Sequence, residues 1–280
     1  MGLWRAAWHR LLAHRSQRLA LGTLALLVLA AILVPLLSPH RYDLPVWQHI
    51  LEPPSLARGS LFGTDGLGRD LLVRVMWGCR ISLLVGLAAS LVSVLIGVAW
   101  GTTAGYVGGR TDALMMRFVD VLYSVPFIPL VIVLSVLFGR NFLLVFAAIG
   151  AVSWLDIARI VRGQALAIRQ REYIDAARAL GMPGPTLLWR HVVPNLAGIV
   201  VVYATLTVPS VILFEALLSF LGLGVQAPLA SLGSLVADGA VEMQAHPYVL
   251  VCPAVLLAVL ILCLNHLGDG MRDALDPRQR

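Results

Sequence analysis

Little in this sequence has the residue types and spacing that bond-making chemistry needs. The seven histidines form no HExxH or other ligand spacing. The three cysteines, Cys79, Cys252 and Cys263, are odd in number and include no CxxC pair, so a disulfide framework or zinc site is poorly supported and they read as small core residues. The glycine stretch Phe62-Gly-Thr-Asp-Gly-Leu-Gly-Arg-Asp70 lacks the GxxxxGK(S/T) spacing of a phosphate loop. What remains is charge in unusual places. Glu215 is the one acid in the apolar run Leu196–Leu221. Two readings stay open for it: it meets a transported ligand or a partner subunit, or it is a buried structural acid, protonated or paired with a neighbouring helix. Asp156, Arg159 and Arg162 recur at spacings of three, and Asp156–Arg159 is most simply an intrahelical pair. Arg117 and Asp120 look similar.

The elements that position these charges are long and apolar. Of 280 residues, 59% are hydrophobic and 13% are charged, about half the charged share of a soluble domain. The mean hydropathy is +0.86. This excludes disorder, and it argues against a soluble globule, which needs more polar residues to cover it. The net charge of +6 could suggest nucleic acid. In so apolar a chain, basic residues instead mark the cytoplasmic side of a membrane protein.

A membrane-crossing helix needs about 20 apolar residues. Candidate runs are Leu19–Leu37, Ile81–Tyr106, Val119–Phe138, Phe142–Ile160, Leu196–Leu221 and Val249–Leu267, six in all. The first follows four arginines but is longer than a signal-peptide core and has no small-x-small cleavage site, so it reads as a retained span. Pro126 and Pro129 predict a kinked third helix, and together with Pro209 they are candidate flex points. With both termini inside, the inner segments hold 15 arginines and the outer ones 6, which selects that orientation. The expected organisation is an inner tail over 1–18, a first span over 19–37, an outer segment over 38–80, a five-helix core over 81–267 and an inner tail over 268–280. An outer segment covers 222–248 and reads as a partly inserted helix where an external partner docks. Asp269, Arg272, Asp273 and Asp276 alternate in sign on the inner tail.

The inner segment 166–195 carries the strongest local signal. Arg171-Glu-Tyr-Ile-Asp-Ala-Ala-Arg-Ala-Leu-Gly181 reads as a short amphipathic helix. Tyr173, Ile174, Ala177 and Leu180 share one face, and Arg171, Asp175 and Arg178 the other. Glu172 and Asp175 sit where the helix dipole favours acids, Asp175 can pair with Arg178, and Gly181 ends the helix. Met182-Pro-Gly-Pro185 makes a turn, and a second short helix, Thr186–His191, ends near Pro194. Such an element either packs under its own bundle or docks a soluble partner.

Asp175-Ala-Ala177, three residues, Gly181, then Pro194 thirteen further on resembles the EAA loop of binding-protein-dependent ABC importer permeases. Asp stands for the usual Glu, and His191-Val-Val-Pro194 stands for Ile-x-Leu-Pro. Arg190-His-Val-Val-Pro-Asn195 is similar to the peptide-importer branch. The glycine stretch 62–70, Ser153–Gln164, Leu218–Gly224 and Gly268–Pro277 all look like the C-type permease subunit of oligopeptide and dipeptide importers.

The resemblance implies an all-α, six-span permease fold of the type I ABC importer kind, in the cell inner membrane, with a cytoplasmic coupling helix. It implies a second homologous permease subunit, two ATP-binding subunits and an extracytoplasmic substrate-binding protein that delivers peptide. ATP and Mg would be handled by those partners, with no cofactor on this chain and no catalytic role for it. Carried over, Glu172, Tyr173, Asp175, Ala176, Ala177, Gly181, Arg190, His191 and Pro194 would couple to the ATPase, the apolar face filling its groove. Glu215 would line the peptide path or touch the second subunit. Nickel, a metal chelate such as an opine type, glutathione or a sugar are alternative cargoes within the same family. A secondary transporter or an intramembrane enzyme would want a charge relay or a catalytic dyad within the spans, and none is evident.

Overall fold

The computed structural model describes residues 3–56, 59–138 and 142–275. Asp276 of the alternating inner tail lies outside them, as do Arg58 and Arg140. Among the described residues the regular structure is helical, apart from two isolated bridges in the outer loop.

Helices α1 (Leu3–Ala13) and α2 (Arg15–Leu37) open the chain. After an outer loop come α3 (Leu71–Val107), α4 (Gly109–Ser124), α5 (Phe127–Phe138) and α6 (Phe142–Arg169). The inner loop holds α7 (Glu172–Ala179) and the single turn α8 (Gly184–Leu187). Then follow α9 (Val193–Phe220), α10 (Leu232–Glu242) and α11 (Pro247–Leu275). Four runs are long and apolar enough to cross a membrane: α2, α3, the continuous stretch Gly184–Phe220, and α11; α4 and α5 make a fifth if the bent pair is one span. The remaining apolar run, 142–160, falls on the 28-residue α6.

α3 is the central post, touching α2, α4, α6, α9, α10 and α11. Its most extensive contact is with α6, and three glycines spaced by four make it possible. A Cβ at Gly97 would lie 2.7 Å from Ile157 Cβ, at Gly101 2.3 Å from Ala158 O, and at Gly105 2.6 Å from Arg162 O. The two backbones meet directly, as small residues allow in lipid. Above this seam an apolar cluster from α2, α3, α9, α10 and α11 includes Ala31, Leu71, Cys79, Ile212, Leu232 and Leu260. Cys79 is thus a core residue, as its lack of spacing partners suggests.

Three boundaries differ from the sequence reading. The second span does not begin at Ile81: α3 starts at Leu71, with the Asp70 carboxylate accepting from Val73 N at 3.0 Å as its cap. Arg74 and Arg80 interrupt the apolar run but not the helix. Arg74 is 3% exposed because its guanidinium donates to Asp65 at 2.8 Å. The third span is not kinked but broken. α4 and α5 meet at 75°, because Val125 is extended ahead of Pro126, as a residue before proline prefers to be. Pro129 then sits in the first turn of α5, where a missing N–H costs nothing. Pro209 leaves α9 continuous. The second inner helix does not stop near Pro194. A π turn over Leu188–Val192 carries the chain from α8 straight into α9, with Pro194 in the first turn. The wider turn accommodates the proline, and the Asn195 side-chain amide donates to His191 O at 2.6 Å.

The glycine stretch of the outer loop folds around its own acid. Asp65 accepts from the backbone N of Leu67 and Arg69 (2.9 and 3.0 Å) and from Arg69 Nε at 2.8 Å. Gly68 has φ +74° and a Cβ there would lie 1.9 Å from Val46 O, so the loop needs glycine. The N–H groups of Leu67 and Arg69 are thus taken by a carboxylate, and those of Gly63, Thr64, Asp65 and Gly68 by backbone carbonyls.

Candidate functional site

The inner loop is built from one short helix and one anchor. Ile174 of α7 is 0% exposed and sits in a cluster with Ile157, Val161, Ala165, Leu187, Val192 and Leu196, with Ala177 and Met182 packed against it. The helix ends in a paired turn: Gly181 N donates to Arg178 O at 3.0 Å and Met182 N to Ala177 O at 3.2 Å. Gly181 has φ +81°, the left-handed value this closure requires. Asp175 and Arg178 pair at 3.1 Å on the exposed side.

The expected apolar face is divided. Ile174 and Ala177 turn into the chain's own bundle, whereas Tyr173 is 44% and Leu180 88% exposed. Leu180 is the cap, outside the regular turns, so helical periodicity does not govern it. Glu172, Asp175 and Ala176 are exposed. Arg190 and Pro194 are exposed too, on the π turn and the start of α9. His191 is half-buried, its ring 6.5 Å from that of Tyr173. Trp189, which periodicity did not single out, is 70% exposed beside Arg190. Tyr173, Leu180 and Trp189 are large apolar side chains on the arginine-rich side of the molecule.

α7 is coupled to the bundle through α6. Only Gln170 and Arg171 separate them, and Arg171 N donates to Ile168 O at 3.0 Å. α6 in turn grips α4 through charge. Arg162 meets Asp112 with two bonds of 2.5 and 2.6 Å, and Arg159 meets Asp120 at 2.7 Å and lies 4.1 Å over the Tyr123 ring. Tyr123 OH donates to Asp156. The expected Asp156–Arg159 intrahelical pair is therefore replaced by pairs between helices. Periodicity along one helix carries no information on partners 39 or 50 residues away. A double-mutant cycle on Asp112→Asn and Arg162→Gln, read by unfolding of the purified chain, is expected to give a coupling of about 1–3 kcal/mol. Additive losses would show that the pair is incidental.

Glu215 is 0% exposed. Its carboxyl accepts from Ser219 Oγ at 2.6 Å and Ser82 Oγ at 3.2 Å, and Leu232 N donates on to Ser82 Oγ at 3.1 Å. It thereby ties α9, α3 and the start of α10 together. Within this chain it faces its own packing. Glu215→Gln keeps one acceptor oxygen and turns an N–H toward the other hydroxyl, and is expected to cost less than Glu215→Leu, which removes both acceptors and costs about 1–3 kcal/mol. Thermal unfolding in detergent reads both. Equal losses would remove the cross-link role.

On the outer face, α10 is capped by Ser231, which exchanges bonds with Ser234. It packs on α9 and α11. A cleft of about 560 Å³ runs between it, the Asp65 loop and the end of α9, lined by Arg69, Arg74, Asp238 and Glu242 among others. Arg74 reaches Asp238 at 3.9 Å.

Two family models match. "Binding-protein-dependent transport system inner membrane component" covers residues 93–280, and "N-terminal TM domain of oligopeptide transport permease C" covers residues 2–54. The chain is 51% identical over 278 residues to the oligopeptide transport system permease protein OppC of Escherichia coli (strain K12), covering 99% of this chain and 92% of that one. It is 46% identical to OppC of Haemophilus influenzae (99% and 89% covered) and 42% identical to the dipeptide transport system permease protein DppC of Bacillus subtilis (98% and 85% covered). Its fold is similar to a chain of the inward-facing MetNI methionine ABC transporter, with a TM-score of 0.58 and 21% identity over 74% of this chain and 96% of that one. An all-helical bundle with several membrane-long helices, and relatives matched nearly end to end, lead to one conclusion: the chain belongs to the family of binding-protein-dependent transport system inner membrane components.

Proposed function

We propose that this chain is the permease subunit of an ATP-driven peptide importer, forming half of the path with a second, homologous permease. One juxtaposition carries the reading. A helix clamped to the bundle through Ile174 leaves Tyr173, Leu180 and Trp189 exposed on the inner side, in a chain similar along its length to peptide permeases. A docked ATP-binding subunit would cover those side chains. Two such subunits bind and hydrolyse ATP with Mg, and this chain supplies no catalytic group. An extracytoplasmic binding protein delivers peptide to the outer face near α10.

The roles divide by exposure. Tyr173, with Leu180 and Trp189, enters the partner's groove. Glu172, Asp175, Arg190 and His191 set register around it, and Ala176 lets the surfaces approach. Ala177, Gly181 and Pro194 hold the loop's shape. Movement of α7 passes into α6, and the Asp112–Arg162 and Asp120–Arg159 pairs carry it to α4. The break at Pro126 then lets α4 swing as a unit relative to α5, a rigid-body switch between inward-open and outward-open states. Glu215 serves as a structural tie, not a peptide contact. Names of relatives at 42–51% identity favour peptide over nickel, a chelate or glutathione as cargo.

The test is affinity purification of the tagged chain from its native membranes, followed by mass spectrometry and a binding-protein-stimulated ATPase assay with a labelled tripeptide. Recovery of a second permease and ATP-binding subunits, with hydrolysis that rises on peptide addition, is the expected result. Recovery of the chain alone would return the inner loop to a packing role. Hydrolysis stimulated by nickel or glutathione and not by peptide would overturn the cargo.

A further inference from the structure

The outer cleft of about 560 Å³ between the Asp65 loop, the end of α9 and α10 has charged walls that the bundle's own packing leaves unmatched. Its charged lining is Asp65, Arg69, Arg74, Asp238 and Glu242. Asp65 is occupied: it holds Arg69 Nε and Arg74 Nη1, each at 2.8 Å. Arg69 is only 7% exposed, yet among the described residues its Nη1 and Nη2 make no hydrogen bond. Unlike the sealed Nε of Arg74, both of these atoms remain accessible. A guanidinium so far removed from water gains most from a carboxylate that takes two donors at once.

The facing wall is α10. Asp238 and Glu242, four residues apart, both line the cleft from that helix. Arg74 Nη2 stops 3.9 Å from Asp238, beyond hydrogen-bond reach. Burial raises the Asp238 carboxyl above its ordinary range, and the Arg69 charge opposes that rise, so the two groups face each other. The cleft thus has an unmatched cation on one side and two acids on the other. Its three carboxylates already outnumber its two guanidiniums, so a lone acid, such as an aspartate of a docking protein, meets net repulsion. A lone base leaves Arg69 unmatched. A molecule with an ammonium at one end and a carboxylate at the other meets both walls, and the volume suits a small molecule.

We propose that this cleft is a transit subsite for a short peptide with free ends, its carboxylate on Arg69 and its ammonium between Asp238 and Glu242. This role rests on the peptide-importer reading, which identifies the cargo class but not where its ends are held.

The full-length chain in lipid nanodiscs, without binding protein or ATP-binding subunits, is titrated with trialanine by saturation-transfer NMR. Trialanine amide and N-acetyl-trialanine should each bind about tenfold more weakly. Arg69→Gln should remove the penalty of amidation and leave that of acetylation. Asp238→Asn combined with Glu242→Gln should do the reverse. These two positions lie on α10, away from Asp65, so they test the proposal even if Arg69→Gln fails to fold. Arg41→Gln, on the outer loop but outside this cleft, should change nothing. Equal binding of all three peptides would overturn the proposal. So would an amidation penalty that persists in Arg69→Gln, or an acetylation penalty that persists in the double variant. Free alanine binding as tightly as trialanine would overturn the assignment to a peptide. If trialanine stimulates hydrolysis by the assembled transporter while its blocked forms bind this chain equally well, the subsite is wrong and the importer reading stands.

Discussion

Gly101→Val is expected to leave almost no folded chain in the membrane. The new Cβ would lie 2.3 Å from Ala158 O, 2.9 Å from Arg162 N and 3.0 Å from Val161 Cβ. Two of those atoms belong to the α6 backbone, so no side chain can swing away to make room. α3 and α6 would have to separate along the seam that organises the bundle, a cost of about 3 kcal/mol or more. Separation would also pull Arg162 away from Asp112. Gly101→Ala tests the same Cβ with less bulk and should lower the melting temperature markedly. Gly163→Ala is the control: a Cβ there meets nothing within 4 Å, and alanine favours the helix by about 1 kcal/mol over glycine. Membrane abundance and thermal unfolding of the purified chain report both effects. Wild-type melting of Gly101→Val would mean that the two helices do not pack this closely.

Leu180→Asp and Trp189→Asp are expected to do the opposite: keep the fold and lose the motor. Both side chains are mostly exposed, at 88% and 70%, so the chain's own stability should change by less than about 0.5 kcal/mol. Each places a charge where an apolar anchor would enter a partner's groove. An anchor of that kind is worth about 2 kcal/mol or more, close to a thirtyfold loss of bound ATPase subunit. Co-purification and peptide uptake should fall together, while membrane abundance stays at the wild-type level. Ile174→Asp is the contrasting variant. Ile174 is fully buried beneath α7, so its replacement should destabilise the loop itself and lower the melting temperature as well. If Leu180→Asp and Trp189→Asp both retain the ATPase subunits, the docking surface lies elsewhere on the inner face.

The amphipathic segment 171–181 was legible because its cues are local. Acids in the first turn, an i,i+3 ion pair and a terminal glycine act within three or four residues, and the structure has all three. Its orientation was not legible. Periodicity groups Tyr173, Ile174, Ala177 and Leu180 together, but which of them turns inward depends on what lies beneath. Leu187, Val192 and Leu196 come from later in the chain and leave room for Ile174 and Ala177 alone. Trp189 escaped notice for a related reason: the π turn changes the helical phase at that point.

The long apolar runs likewise follow from composition, because a bilayer requires a length and a hydrophobicity that any stretch of sequence displays by itself. The arginines carry the expected orientation in the same local way, and the sequence has no metal-ligand or phosphate-loop spacing. Tertiary structure decided where charge is tolerated. Arg74 and Arg80 look like the edge of a span, yet α3 runs through them because Asp65, in a loop before the helix, folds over to meet Arg74. Asp156 and Arg159 look like partners, yet each turns to α4. For Glu215 the sequence leaves a ligand or subunit contact and a structural acid both open; in the bundle, serines from α3 and α9 hydrogen-bond it. A local pattern measures the cost of placing a charge in an apolar helix. The compensating partner arrives from another helix, so only the packed bundle determines whether that cost is met.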